Sequence, residues 1–398
     1  MKILVLLSRF PYPLEKGDKL RAYHQIRCLS ERHDIILATL HEESVSDEAL
    51  RQVQPFCEKI YLLHQHKWRS VTNIIRSFFN GTPLQCGYFY SSKNHRKIER
   101  IIREEQPDRI YCQLFRMAEY VKNLPTRKVI DFQDAFSKGM WRRYENAHLL
   151  LKPFFKMEYR RVSRYEAEIF DKFDAHTIIT EVDRELIAHP RRDEIAVVPN
   201  GVLFDQYRYL GEEKKYDLIF SGNMNYAPNV DAAEYLSRDI LPPLRERFPH
   251  LRLVLCGANP SLRVRALAGE NTLITGWVDS MRDWYAQSRI FVAPMRMGTG
   301  LQNKLLEAMS MELPCVTSPL AGHPLNKAED EGAILTCHTT GEYVDTITRL
   351  LIEKEYREQV AGNGNRYVHE HYDWEKATEK LEYLLCGEAP KKKLGILC

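Results

Sequence analysis

A lysine and a glutamate three residues apart, Lys304 and Glu307, follow the glycine-rich loop Gly298-Thr299-Gly300 in the stretch RIFVAPMRMGTGLQNKLLEAMSMELPCVTSP. On a helix that spacing puts both side chains on one face. An apolar run at 289–293 leads into the loop, and the helix must end before Pro314, where another apolar run begins. A helix N-terminus preceded by glycines offers unbonded backbone N–H groups and the positive end of the helix dipole, which together suit a phosphate. Lys304 adds a charge in the first turns. Glu307, one turn deeper, is better suited to accept hydrogen bonds from a ribose diol. The plainer reading of the same residues is a loop and a surface helix carrying a weak ion pair.

The first half holds two further groups. KILVLLS leads into a proline-rich loop with Gly17-Asp18 at a helix start and Lys19 and Arg21 just inside it. Gly17 can offer its N–H to a phosphate, and Asp18 is equally a good N-cap. After KVIDF come Asp131 and Asp134, with Trp141 beyond. Two acidic groups at the carboxyl end of a buried strand can meet an acceptor hydroxyl or order a loop, and Asp134 can instead cap the next helix. No His/Asp cluster at ligand spacing accompanies them, so no metal is expected. His24 and His323 stand apart, and for a lone histidine packing or solvent is the expected role.

These groups need strands and helices to position them. Twelve short apolar runs, from KILVLLS to AILTC, alternate with longer polar stretches, a rhythm of βα units building parallel sheets. The rhythm breaks at PNGVLFDQYRYLGEEKKYD. The expected organisation is α/β: two doubly wound Rossmann-like domains facing across a cleft, 1–198 on the acceptor side, a linker at 199–216, and a donor domain at 217–371. A helix at 372–388, with Tyr372, Trp374, Leu381 and Leu385 available for packing, is expected to cross back, leaving a frayed tail at 389–398.

With 398 residues, 44% hydrophobic and 28% charged, the composition is that of a globular protein with room for two cores. The net charge of +3 is too small for general polyanion binding by the whole chain. No apolar run is long enough to span a bilayer and no secretory signal is evident, which points to a cytoplasmic protein. The nine cysteines are scattered without a CxxC pair, against both a disulfide framework and a zinc site.

LLEAMSMELPCVTSP resembles the donor-site signature of retaining, GT-B-fold glycosyltransferases of group 1 (family 4), in which the glutamate of the EAM sequence binds the nucleotide ribose. IAVVPNGV resembles the interdomain linker of these enzymes, DLIFSGNMNYAPNVDAAEYL their first C-terminal βα unit, and ITGWVDSMRDWYAQSRIFVAP the loop and helix before the donor strand. The resemblance covers residues 195–325 and is looser over the N-terminal half, where DFQDAFS is similar to the DFxDxxS stretch of exopolysaccharide-associated sugar transferases. It implies transfer of a sugar from a nucleoside diphosphate donor to a glycan or lipid-linked glycan acceptor, with retention, without metal and without another cofactor. The implied donor contacts are Glu307, Lys304, Gly298, Thr299, Gly300, Gly222, Asn223, Val278 and Gly17. Asp18, Arg21, Asp131 and Asp134 fall on the acceptor side, with Lys304 and Asp134 as catalytic candidates, and Lys19 or Arg21 as an accessory cation. No side-chain base is assigned, the leaving diphosphate itself being able to take the acceptor proton.

Two departures matter. Family members often carry a glutamate eight positions before the EAM glutamate, where this chain has Thr299. The loop after DLIFSG often supplies an Arg and a Lys and here reads GNMNYAPN, leaving more of the diphosphate contact to Lys304, as in the subgroup whose motif reads GxGxxxKxxEAM. A nucleotide-sugar epimerase of the same fold and a non-catalytic sugar-nucleotide or glycan-binding module are the alternatives.

From Lys138 to Arg164 eight basic residues face only Glu145 and Glu158, a local net charge of +6, with Trp141, Tyr144, Leu149–Leu151, Phe154, Phe155, Met157 and Tyr159 between them. Such a segment suits an anionic membrane face, or equally a packed helix pair with a solvated side. No nucleic-acid-binding module is recognisable.

Overall fold

A computed structural model of the chain describes residues 1–298 and 300–387. The expected donor-loop residue Thr299 and the expected tail at 389–398 therefore lie outside the described residues. The chain divides into two compact units, one of Met1–Pro199 with the C-terminal helix Trp374–Cys386, the other of Asn200–Asp373.

In the first unit seven parallel strands form one sheet: β1 (Lys2–Leu7), β2 (Asp34–His41), β3 (Lys59–His64), β4 (Arg109–Gln113), β5 (Lys128–Asp131), β6 (Ala175–Ile178) and β7 (Ala196–Val197), in the order β3-β2-β1-β4-β5-β6-β7. Leu4, Leu6, Ile110 and Cys112 point into one apolar cluster, while Ile3, Val5, Leu7 and Tyr111 point into another. That alternation follows from the period-two pleat of strands buried on both faces. The helix Trp374–Cys386 covers the second face, where Ala377, Leu381 and Leu385 are buried and Trp374 stacks on His24 at 4.9 Å.

The second unit has six parallel strands: β8 (Tyr216–Ser221), β9 (Leu253–Cys256), β10 (Thr272–Ile274), β11 (Ser288–Ala293), β12 (Cys315–Thr317) and β13 (Leu335–Thr336), in the order β10-β9-β8-β11-β12-β13. The sequence rhythm does not announce β10, a three-residue edge strand whose Leu273 is exposed. Residues 200–216, expected as a linker, are part of this unit: Val202 is buried and its N–H bonds the Tyr372 carbonyl at 2.8 Å, and Phe204 and Tyr207 pack on the core. The eight described cysteines are free thiols. Among the described residues no helix is long and apolar enough to cross a membrane.

Candidate functional site

From β8 the chain continues to β9 and β10 on one side of the sheet, whereas from β11 it continues to β12 and β13 on the other. The crevice at the carboxyl ends of β8 and β11 is thus the switch point where open α/β sheets bind ligands. After β8 comes Gly222, at φ +150°, where a Cβ would lie 2.6 Å from Asn229 Nδ2 and 3.1 Å from Lys304 Nζ. After β9 comes Gly257, at φ +139°, where a Cβ would sit 2.0 Å from the Gly222 carbonyl oxygen. Only glycines let these loops approach so closely.

Lys304 and Glu307 reach this point from the helix Asn303–Ser310. The Lys304 ammonium donates to Asn229 Oδ1 at 2.6 Å and lies 4.7 Å from the centre of the Phe220 ring. Asn229 Nδ2 donates in turn to the Asn223 carbonyl at 3.0 Å. Burial lowers the Lys304 pKa to about 7, against the attraction of Glu307. Tyr285 donates its hydroxyl to Glu307 Oε2 at 3.1 Å, and Ser221 Oγ lies 2.8 Å from the same hydroxyl. Burial raises the Glu307 pKa to about 7, against Tyr285 and Lys304. Glu307 Oε1 accepts no hydrogen bond from the described residues.

The glycine loop stands beside them. Gly298 (φ +114°) and Gly300 (φ +73°) both adopt left-handed backbone, and a Cβ on Gly298 would touch Pro228 at 3.6 Å, in the first turn of the helix Ala227–Tyr235. Gln302 donates to the Gly300 carbonyl at 3.3 Å. Arg296 grips Asp231 with two bonds of 3.1 and 2.7 Å, tying the same loop to that helix. Val278 is partly buried against the core, on the loop before the helix Met281–Ala286 that carries Tyr285.

The structure thus brings Gly222, Asn223, Gly298, Gly300, Lys304 and Glu307 into one neighbourhood of the second unit. Sequence reasoning missed Tyr285 and Asn229, and it placed Ser221 with the SGN loop at the diphosphate, not beside Tyr285. Tyr285 lies in DWYAQS and reads as an ordinary apolar helix residue, and Asn229 stands in the stretch GNMNYAPN, where a basic residue was sought, on the first turn of the helix Ala227–Tyr235.

The first unit corrects several expectations. Arg21 and Asp131 are wholly buried and paired through Nε–Oδ2 at 2.6 Å and Nη2–Oδ1 at 3.2 Å. Thr177 also donates to Asp131, at 2.9 Å, and Tyr111 OH lies 2.9 Å from it. Both are out of an acceptor's reach, because they satisfy one another in the core. Asp18 is not an N-cap: Lys16 holds that position, and Asp18 accepts from Arg9 at 2.8 Å and Arg116 at 3.3 Å. Gly17 is an exposed first helical residue with ordinary φ and open space around it. Asp134 does not cap the next helix, whose N-cap is Ala135 without a side-chain bond. It is half-buried, with its pKa raised to about 7 by burial, then by Asp183 and Asp131. His24 is a neutral core ring, its pKa driven to about 3 by burial, and His323 is exposed after a short helix.

This two-unit arrangement of parallel sheets is the GT-B fold. Sucrose-phosphate synthase from Thermosynechococcus elongatus superposes with a TM-score of 0.67 at 13% identity, covering 97% of this chain and 99% of that one. HepE from Anabaena, solved with UDP-glucose, gives 0.66 at 12% identity over 97% of this chain and 100% of that one. Residues 215–353 match the family described as glycosyl transferases group 1. The sulfoquinovosyl transferase SQD2 of Arabidopsis thaliana is 31% identical over 153 residues, 36% of this chain and 30% of that protein. The chain spans about a third or less of the length of the curated relatives it matches.

Proposed function

We propose that the chain transfers a hexose-type sugar from a nucleoside diphosphate donor to a glycan or lipid-linked glycan acceptor, with retention and without a metal ion. The observation that carries this reading is a carboxylate with one unoccupied oxygen, Glu307, three residues from a half-buried ammonium, Lys304, at the sheet's switch point. Glu307 would accept the ribose hydroxyls, held in place by Tyr285. Lys304, the N–H groups of the glycine loop and the first turn of the helix Ala227–Tyr235 would face the diphosphate.

As the bond between sugar and diphosphate breaks, negative charge grows on the leaving oxygen. A cation already fixed there stabilises that state more than the ground state. The proton lost by the acceptor hydroxyl passes to the leaving diphosphate, so the step balances without a side-chain base. Asp134, with its pKa near neutrality, stays the acceptor-side candidate able to exchange a proton.

A lipid-linked acceptor would sit at a membrane face, and the first unit has a surface that supports this. Leu149–Leu151 and Phe154 are exposed beside Lys152, and on the helix Lys67–Asn80 Val71, Ile75, Phe78 and Phe79 are exposed as well. Arg161 joins the two segments, donating to the Phe78 carbonyl at 2.7 Å with its guanidinium 5.3 Å from the Phe78 ring. Large apolar groups clustered among cations suit an anionic lipid surface.

The deciding experiment incubates the protein with a panel of nucleoside diphosphate sugars, with and without glycan acceptors, in EDTA. Diphosphate release that depends on acceptor, with the donor's anomeric configuration kept in the product by NMR, is expected. A free sugar-nucleotide isomer formed without acceptor would make the protein an epimerase, binding without turnover would make it a binding module, and a strict metal requirement would remove the role given to Lys304.

A further inference from the structure

A separate cavity lies wholly within the first unit, at the carboxyl ends of β1, β2 and β3. It holds about 850 Å³, within the range that encloses a small molecule. The fold gathers five cations on its wall that are scattered in sequence: Arg9, Lys16, Lys19, Arg116 and Arg143.

Arg116 is the buried member, 6% exposed, with its guanidinium 4.5 Å from the centre of the Phe89 ring. Its Nε donates to Ser8 Oγ at 3.1 Å and its Nη2 to Asp18 Oδ2 at 3.3 Å. Nη1 has no bonded partner among the described residues. Asp18 is shared, because Arg9 Nη1 also donates to Oδ2, at 2.8 Å. One carboxylate thus serves two guanidiniums.

Lys19 donates only to the Tyr12 carbonyl, at 3.4 Å. Lys16 and Arg143 form no ion pair among the described residues. Glu42 and Glu43 also line the cavity, and Glu42 accepts from the Tyr88 hydroxyl at 2.5 Å. Burial and then Lys16 hold the Lys19 pKa down, and burial and then Arg9 lower that of Arg116 to about 10. Against five cations the lining carries the carboxylates Glu42 and Glu43, with Asp18 shared by Arg9 and Arg116, which leaves the concave wall net positive.

We propose that this cavity binds an anionic group, a phosphate or a carboxylate, carried by the sugar acceptor. Arg116 and Lys19 meet the anion from the wall, and Lys16 and Arg143 from the exposed rim. The open Nη1 of Arg116 gives a directed bond that an ammonium does not, and Tyr12, Tyr88 and Phe89 supply apolar faces for a sugar ring. The inference rests on reading the first unit as the acceptor side.

The test is calorimetric titration of the full chain with glucose 6-phosphate, glucuronate, inorganic phosphate and glucose. At least one anionic sugar is expected to bind ten times or more tighter than glucose. Preference for glucose 6-phosphate and phosphate identifies a phosphate as the recognised group, and preference for glucuronate a carboxylate. The double variant Lys16→Gln, Arg143→Gln, at surface positions that leave folding intact, should lose about tenfold in that affinity. Equal binding of glucose and the anionic sugars, or unchanged affinity in the double variant, overturns the proposal. Nucleoside diphosphate binding is measured on the same two proteins and should not change between them. Its loss in the double variant assigns these cations to the donor and also overturns the proposal. Its absence from the unmodified chain, with anion binding intact, sinks the donor reading alone.

Discussion

Glu307 and Lys304 are held in protonation states that cost the fold and suit a ligand. In the folded chain the Glu307 pKa stands near 7 instead of the usual 4.5. Between those values the unfolded chain has lost the proton that the folded chain keeps, so stability falls as pH rises and the penalty is complete above about 7. Glu307→Gln, which can still accept from Tyr285, should therefore raise the melting temperature at pH 8 and leave it unchanged at pH 4. An equal shift at both would show that charge is not the cause. The same glutamate makes a functional prediction: Glu307→Ala should weaken nucleotide binding by about 1.5–3 kcal/mol for each charge-assisted hydrogen bond to the ribose. Unchanged affinity in the folded variant would remove the ribose role. For Lys304→Ala, turnover should fall by a larger factor than nucleotide affinity, because the charge it meets grows only as the bond breaks. A fall confined to KM would place the lysine in ground-state binding. Of these residues the sequence displayed the two with charge and the glycines beside them. Tyr285 and Asn229 were not legible, because a hydroxyl and an amide acquire their role only when β8 and β11 lie side by side. The reverse holds for Arg21 and Asp131, whose charges looked functional and are spent on each other in the core.

At the scale of elements, strands buried on both faces were readable because they appear as continuous apolar runs. β10 escaped because three residues at an edge, one of them exposed, make no run. The basic stretch from Lys138 to Arg164 was legible as a charged, amphipathic segment suited to an anionic membrane face, but its apolar partner was not. It resolves into the helices Phe136–Asn146 and Lys152–Phe170 with a short exposed turn, Leu149–Leu151, between them. Its apolar companion, the helix Lys67–Asn80, lies about 70 residues earlier in the sequence. With Phe79 and Leu150 each 83% exposed, both segments should enter the headgroup region of an anionic bilayer. Sedimentation with anionic vesicles should show binding that salt reduces but does not abolish, since screening acts on the cations and not on the apolar contacts. Phe79→Ser with Leu150→Ser should remove the salt-resistant part. No binding at low salt would leave the surface without a membrane role, and equal binding to neutral and anionic vesicles would leave its cations without one.

For the molecule as a whole, the chain returns to the first unit after completing the second. The helix Trp374–Cys386 buries Ala377, Leu381 and Leu385 in the first unit's core. Its Glu382 is wholly buried, hydrogen-bonded with His33 at 2.8 Å and ion-paired with Arg32 at 2.7 Å. The apolar spacing of this helix could be read from the sequence, but its destination could not, since that depends on which sheet face is left uncovered. The consequence is that a residue near the C-terminus stabilises the N-terminal half. Leu381→Ala leaves a cavity in that core and should cost about 2–5 kcal/mol. The loss should appear in the first unit's unfolding, while nucleotide at 100 times its dissociation constant still adds about 2.7 kcal/mol to the second. Hydrogen exchange resolved along the chain separates the two. In the variant, amides of β1, β4 and β5 should exchange faster, those of β8 and β11 should keep their rates, and added nucleoside diphosphate should slow only the latter pair. If the substitution accelerated exchange in β8 and β11 as much as in β1, the helix would be holding both units together and the two cores would unfold as one.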